Sequence, residues 1–177
     1  GEIELTAVEL LDAAGRPTTR VTTGAPLVIR LRYRARRQVR RPVFGVAIYA
    51  GGLQVSGPNT RVDGRLIDRV EGEGELRYRV DALPLLPGAY TLSAAVYDEQ
   101  ELHPFDHHHQ CYPFQVVSRD GVERYGVVEL AGHWEVADTY QPSGVSDSPS
   151  DFAACHGTTT RGPAAAGDAG PGAESLP

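Results

Sequence analysis

Lysine is missing from this chain altogether; all 17 basic residues are arginine. A Gly-x-x-x-x-Gly-Lys-Ser/Thr phosphate loop is therefore impossible, and the chain does not hydrolyse nucleotide by that route. The abundance of Ala, Gly and Pro points to GC-rich coding as the reason for arginine's monopoly. Cysteine is scarce too. Cys111 and Cys155 alone build no disulfide framework, so reduced thiols in a cytoplasmic protein are the expectation. No apolar run approaches the ~18 residues of a membrane-spanning helix, and no basic–apolar leader opens the chain. The first residue is Gly1 rather than a methionine, so the expectation is an excised domain with a further part upstream. A formal net charge of −6 argues against nucleic-acid binding carried by bulk charge. Catalytic signatures are equally sparse: Gly-x-Ser-x-Gly, Cys-x-x-Cys and His-Glu-x-x-His are all lacking.

What is present is β-sheet composition. There are 20 glycines and 13 prolines, and Val, Tyr, Ile and Thr are plentiful before Tyr140. The organising stretch is Arg41–Thr60. Phe44, Val46 and Ile48 alternate with Gly45, Ala47 and Tyr49, a period of two that marks a strand with one bulky face and one nearly bare face. Gly57-Pro58-Asn59-Thr60 then forms a dense turn signal containing the single asparagine of the chain. Elsewhere, Leu27, Ile29, Leu31 and Tyr33 alternate with Val28, Arg30, Arg32 and Arg34, and residues 42–50 are the expected hairpin partner of that strand. Residues 2–11 change register midway, which a bulge near Thr6-Ala7 reconciles. Strands are expected at 61–71 and 75–81, separated by Glu71-Gly-Glu-Gly74. Residues 82–90 read as a proline-pinned crossing whose Leu83, Leu85 and Leu86 plug one end of the fold. Further strands are expected at 90–97, 111–117 and 127–136, with Asp98–Gln110 as a polar loop. The fold class is all-β: an antiparallel β-sandwich of eight or nine strands and no helix. Residues 1–138 form the folded domain. Residues 139–177 are low in complexity and apolar mass, and read as a disordered tail.

Several groups of residues bear on function. Seven arginines lie between positions 30 and 41 with no acid among them. They are either a solvated sheet face balanced by acids on neighbouring strands or an anion-binding surface, for which the planar guanidinium fork is well suited. The cluster Asp98, Glu99, Glu101, His103, Asp106, His107, His108 and His109 offers metal-ligating types. Three successive histidines in a strand cannot all aim at one ion, however, so no metal site is assigned and a solvated or sugar-contacting loop is the competing reading. Tyr49, Tyr97 and Trp134 each stand at or near a strand end. Flat rings there are either rim and core aromatics or platforms for sugar rings. The outer face of 90–97, with Ser93 and Ala95 before Tyr97, is as bare as that of Gly45 and Ala47; if the two strands share a sheet, they form a shallow floor ending in tyrosines.

The ordered series Pro42-Val-Phe-Gly-Val-Ala-Ile-Tyr49, Gly57-Pro-Asn-Thr60, Leu83-Pro-Leu-Leu-Pro-Gly-Ala-Tyr-Thr-Leu-Ser93, Tyr97-Asp98 and Phe114-Gln-Val116 resembles the carboxy-terminal carbohydrate-binding domain of the ATP-binding subunit of Wzt-type polysaccharide ABC exporters. The resemblance runs from about Gly1 to Val136. It implies an immunoglobulin-like sandwich in the cytoplasm, peripheral to the inner membrane, behind a nucleotide-binding domain and beside the transporter's membrane subunit. It also implies recognition of a lipid-linked O-antigen-type glycan and a homodimer that exchanges the last strand, here 127–136. The His107–His109 triplet departs from the family pattern. The expected function is thus a non-catalytic glycan-binding module without cofactor. Its candidate contacts are Tyr49, Tyr97, Ser93, Arg30, Arg32, Arg34, His103 and Trp134. Two alternatives stay open: a purely structural dimerisation module of the ATPase subunit, and a metal-dependent enzyme using the histidine loop.

Overall fold

Period-two alternation of large apolar and polar side chains builds eight strands in the computed structural model, which describes residues 1–119 and 125–135. They are β1 (Ile3–Leu11), β2 (Arg20–Thr22), β3 (Leu27–Arg40), β4 (Val43–Ala50), β5 (Leu53–Ser56), β6 (Arg69–Val80), β7 (Gly88–Tyr97) and β8 (Pro104–Val117). There is no helix among the described residues. One sheet has the order β1-β3-β6 and the other β2-β8-β7-β4-β5. All pairings are antiparallel except that of β2 with β8. The two sheets form an immunoglobulin-like sandwich. The expected bulge in β1 is present, with the register shifting between Leu5 and Ala7. It returns Val8 and Leu10 to the face of Ile3 and Leu5, and all four are buried.

The core lies between the sheets. Leu27, Ile29 and Leu31 of β3 face Phe44, Val46 and Ile48 of β4 and Leu92 and Val96 of β7, all nearly inaccessible. Full burial of side chains of this size stabilises by roughly 1.5–3 kcal/mol each. Leu83, Leu85 and Leu86 close one end as expected. The Tyr90 hydroxyl, whose pKa burial raises, reaches back at 2.7 Å to donate to the Leu86 carbonyl. Thr23 is the one threonine buried here, and its hydroxyl donates to the Leu85 carbonyl at 2.8 Å.

Four local expectations are corrected. Residues 42–50 are not the hairpin partner of β3 but lie in the opposite sheet, between β7 and β5. The chain crosses at Arg41, which takes φ 47°, and at Pro42, which has no N–H to continue a ladder. Glu71–Gly74 does not separate two strands but runs inside β6. Gly74 there leaves the space that the Tyr33 ring occupies, and Glu73 and Glu75 pair with arginines of β3. The triplet His107–His109 is not in a loop, which ends at His103: β8 starts at Pro104, and Asp106, His107 and His108 pair with Val96, Ala95 and Ala94 of β7. Backbone pairing to a strand already in place overrides their polarity. Finally, 127–136 is no regular strand in the described residues, where Val128 makes an isolated bridge to Leu85. Val136 and the tail 139–177 with Cys155 lie outside the described residues.

Two compact units divide the chain at His133. The first, Gly1–His133, contains both sheets and the site described below.

Candidate functional site: a ring-lined trough on one sheet

The bare faces of β4 and β7 are adjacent. Gly45 pairs with Ala95, Ala47 with Ser93, Tyr49 with Thr91 and Val43 with Tyr97. Because the strands are antiparallel, Tyr49 and Tyr97 stand at opposite ends, six residues or about 20 Å apart along the sheet. Between them the small side chains leave a trough of about 210 Å³ on the outer surface.

β8 supplies one wall. Alternation sends His107 and His109 outward, and their rings complete a continuous row. Tyr97 and His107 have centroids 6.2 Å apart, His107 and His109 5.7 Å, and His109 and Tyr49 5.5 Å. His108 points to the other side, where its Nε2 lies 3.3 Å from Asp106 and its Nδ1 meets the Tyr112 hydroxyl. Asp106 also accepts the Leu5 N–H at 2.8 Å, tying β8 to the bulge of β1. Burial raises the pKa of Tyr112. The triplet is thus divided between two faces. No group of three or more potential metal ligands is arranged around one point among the described residues.

The opposite wall is the Gly57–Thr60 turn. It lies along the part of the β4 edge that β5 does not pair: Val46 N donates to Pro58 O at 3.1 Å, Thr60 N to Phe44 O at 2.9 Å, and Phe44 N to Thr60 Oγ1 at 3.1 Å. Asn59 holds the turn from within, accepting the N–H groups of Arg61 and Val62 at 3.0 and 2.8 Å. Its amide nitrogen donates to Glu101 at 3.2 Å. Glu101 sits at the tip of a tight loop with φ 60°, near Arg61. The base of that loop is Asp98. Desolvation acts to raise its pKa, but hydrogen bonds from the Leu102 and His103 backbones and the His103 ring prevail and hold it below the ordinary range. Gln54 of β5 accepts from the Tyr49 hydroxyl at 3.0 Å. At the floor, buried Ser93 accepts the Gln110 N–H at 2.7 Å where β8 shifts register, with Gln110 at φ 51°. A second hollow of similar size lies on the far side of the same turn, between β4 and β6. Its floor includes the buried Leu31, Phe44 and Val46, and Asp63, Arg65 and Arg77 stand at its exposed rim.

Of the residues expected at the site, Tyr49, Tyr97 and Ser93 come together. His103 stands beside the trough's loop, bonded to Asp98. Arg30, Arg32 and Arg34 lie on the outer face of the opposite sheet, engaged by Glu9 at 2.7 Å, Glu75 at 3.3 Å and Glu73 at 2.8 Å. Arg36 and Arg37 continue the pattern with Glu4 and Glu2. Trp134 belongs to the second unit, and its side chain is exposed. Four further residues stand at the trough: Glu101, His107 and His109, which the sequence offered only within a polar cluster and not among the candidate contacts, and Gln54, which it did not single out. The outward period of His107 and His109 was available as a signal, but a polar run next to a loop concealed it.

Fold and trough together define an immunoglobulin-like module that presents one open sheet face to a ligand-sized space. A family model described as the Wzt C-terminal domain matches residues 1–130, and the chain belongs to that family. Domains of this family are non-catalytic C-terminal modules of ABC-exporter subunits. Among solved structures, the chain is similar to the C-terminal domain of Wzt, with 16% identity and a TM-score of 0.66, covering 77% of this chain and 85% of that one. Fainter likenesses are to the CARDB domain of the PF1109 protein from Pyrococcus furiosus, solved with di-metal ions (12% identity, TM-score 0.36, 66% of this chain and 90% of that one). An immunoglobulin-like protein from Pseudomonas aeruginosa is comparably distant (10% identity, TM-score 0.38, 66% and 98%). No curated protein matches the sequence.

Proposed function

We propose that this domain is the glycan-recognition module of the ATP-binding subunit of a polysaccharide ABC exporter. It binds a lipid-linked O-antigen-type glycan at the cytoplasmic side of the inner membrane and performs no chemistry itself. The observation that carries this reading is the row Tyr97–His107–His109–Tyr49 over a floor of Gly45, Ala47, Ser93 and Ala95. Flat rings pack against the C–H faces of sugars, and small floor residues let a pyranose approach the sheet. An upstream nucleotide-binding domain supplies ATP hydrolysis and the membrane subunit the path. Among the described residues no helix is long and apolar enough to cross a membrane.

Isothermal titration with the polysaccharide of the source organism tests the reading. The double substitution Tyr49→Ala, Tyr97→Ala is expected to weaken binding by about tenfold or more, from roughly 0.5–1.5 kcal/mol per aromatic contact. Equal affinity of wild type and double mutant defeats the assignment.

A second reading, a dimerisation module that couples two ATPase subunits, draws support from the segment after β8. In the single chain Tyr125 is 85% exposed and Leu130 81%, open apolar surface in a short stretch of the first unit. Exchange of residues 127–136 with a second copy would cover them. The two readings are compatible, and only a dimer that binds no glycan would leave the second alone.

A further inference from the structure

We infer that the trough takes an uncharged sugar unit, one recognised through hydroxyls and C–H faces and not through a carboxylate or phosphate. This rests on the glycan reading above and adds the chemical class of the ligand. The lining decides it. Gln54 and Asn59 carry amides, and Tyr49 and Tyr97 carry hydroxyls. The Gln54 amide and the two tyrosine hydroxyls both donate and accept, as does a sugar hydroxyl, so either partner can adjust to the other, while the Asn59 amide is committed to Arg61, Val62 and Glu101. An acidic sugar asks instead for concentrated donors, typically the guanidinium fork.

No arginine lines the trough. Glu101 is the one Asp, Glu or Arg among the lining residues, and it is acidic. The arginines near it are engaged. Arg41 is held by Glu99 at 2.6 Å, and Arg61 donates to the Glu99 carbonyl at 2.7 Å while flanking Glu101 at 3.7 Å. The run at Arg30, Arg32 and Arg34, the natural candidate for reading acidic groups, stands on the opposite sheet in ion pairs with Glu9, Glu75 and Glu73. An anionic ligand in the trough would meet a carboxylate at its rim and no free guanidinium.

The test is a microbial glycan array probed with the full chain at pH 8. The array pairs neutral backbones with uronate- and phosphate-bearing counterparts. Neutral structures are expected to bind best, with each acidic counterpart weaker by about fivefold or more, the scale of one like-charge contact in a well-hydrated site. Glu101→Gln is expected to narrow that ratio. Acidic structures binding as well as or better than neutral ones overturn this inference and leave the glycan reading standing. Binding to no structure at all overturns the glycan reading, and this inference with it. A ratio untouched by Glu101→Gln overturns the role given to that carboxylate.

Discussion

At Gly45 the absence of a side chain is a packing requirement. A Cβ there would lie 3.3 Å from the Asn59 Cβ and 3.5 Å from the Pro58 carbonyl, where the turn rests on β4. Gly45→Val is expected to destabilise by about 1–3 kcal/mol, as overpacking does, and to displace the turn from the trough edge. A thermal midpoint equal to wild type would refute this. Asn59 makes the complementary case, since its single side chain caps two N–H groups and restrains Glu101. Asn59→Ala should cost on the order of 1 kcal/mol by urea unfolding, comparable to loss of a cap. The asparagine is legible in the sequence as a turn residue; its hold on Glu101, 42 positions away, is not.

Among the elements, the outer face of β1-β3-β6 shows how a run of like charges is made tolerable. Each arginine from Arg30 to Arg34 faces an acid of a neighbouring strand, Glu9, Glu75 or Glu73. Glu75 is shared: the hydrogen bond from Arg77 is the largest influence lowering its pKa, desolvation opposes it, and Arg32 adds to the lowering. Asp12, held chiefly by the Arg16 backbone, and Asp98 are lowered as well. A carboxyl depressed in the folded state contributes stability above its unfolded pKa and loses it as pH falls through the folded value. The urea midpoint should therefore drop between pH 7 and pH 3, and drop less in Glu75→Gln. Identical midpoints at both pH values would show that these pairs contribute nothing, the common fate of exposed ion pairs. The Leu83–Leu86 plug belongs to this scale too. Leu85→Ala is expected to cost about 2–5 kcal/mol, since it opens a cavity under the segment bridged by Val128.

Taken whole, the Gly1–His133 unit has two outer faces of opposite character. One is a lattice of paired charges and the other a ring-lined trough without arginine. On the proposed glycan reading this separation is useful, because the arginines paired with Glu9, Glu75 and Glu73 compete little for acidic polymers. If exchange of 127–136 makes the dimer, light scattering should give twice the monomer mass, and a chain ending at residue 124 should give the monomer. A dimer that survives the truncation would place its interface elsewhere.

Much of the fold was legible beforehand. Alternation marked β1, β3, β4 and β7 with their inward residues, the register change announced the β1 bulge, and Leu83–Leu86 read as a plug. These are local consequences of side-chain period and turn chemistry. Which strands neighbour one another was not legible, because the partner of a strand is chosen by packing across the whole sandwich; β4 left β3 for β7 on that account. The trough depended on the same choice. The order of residues by itself determined two nearly bare strand faces, each ending in a tyrosine, and a run of arginines. Tertiary structure decided that the bare faces adjoin, that β8 lays His107 and His109 beside them, and that the arginines face acids on the far sheet, since only strand pairing brings residues so distant in the chain within contact range.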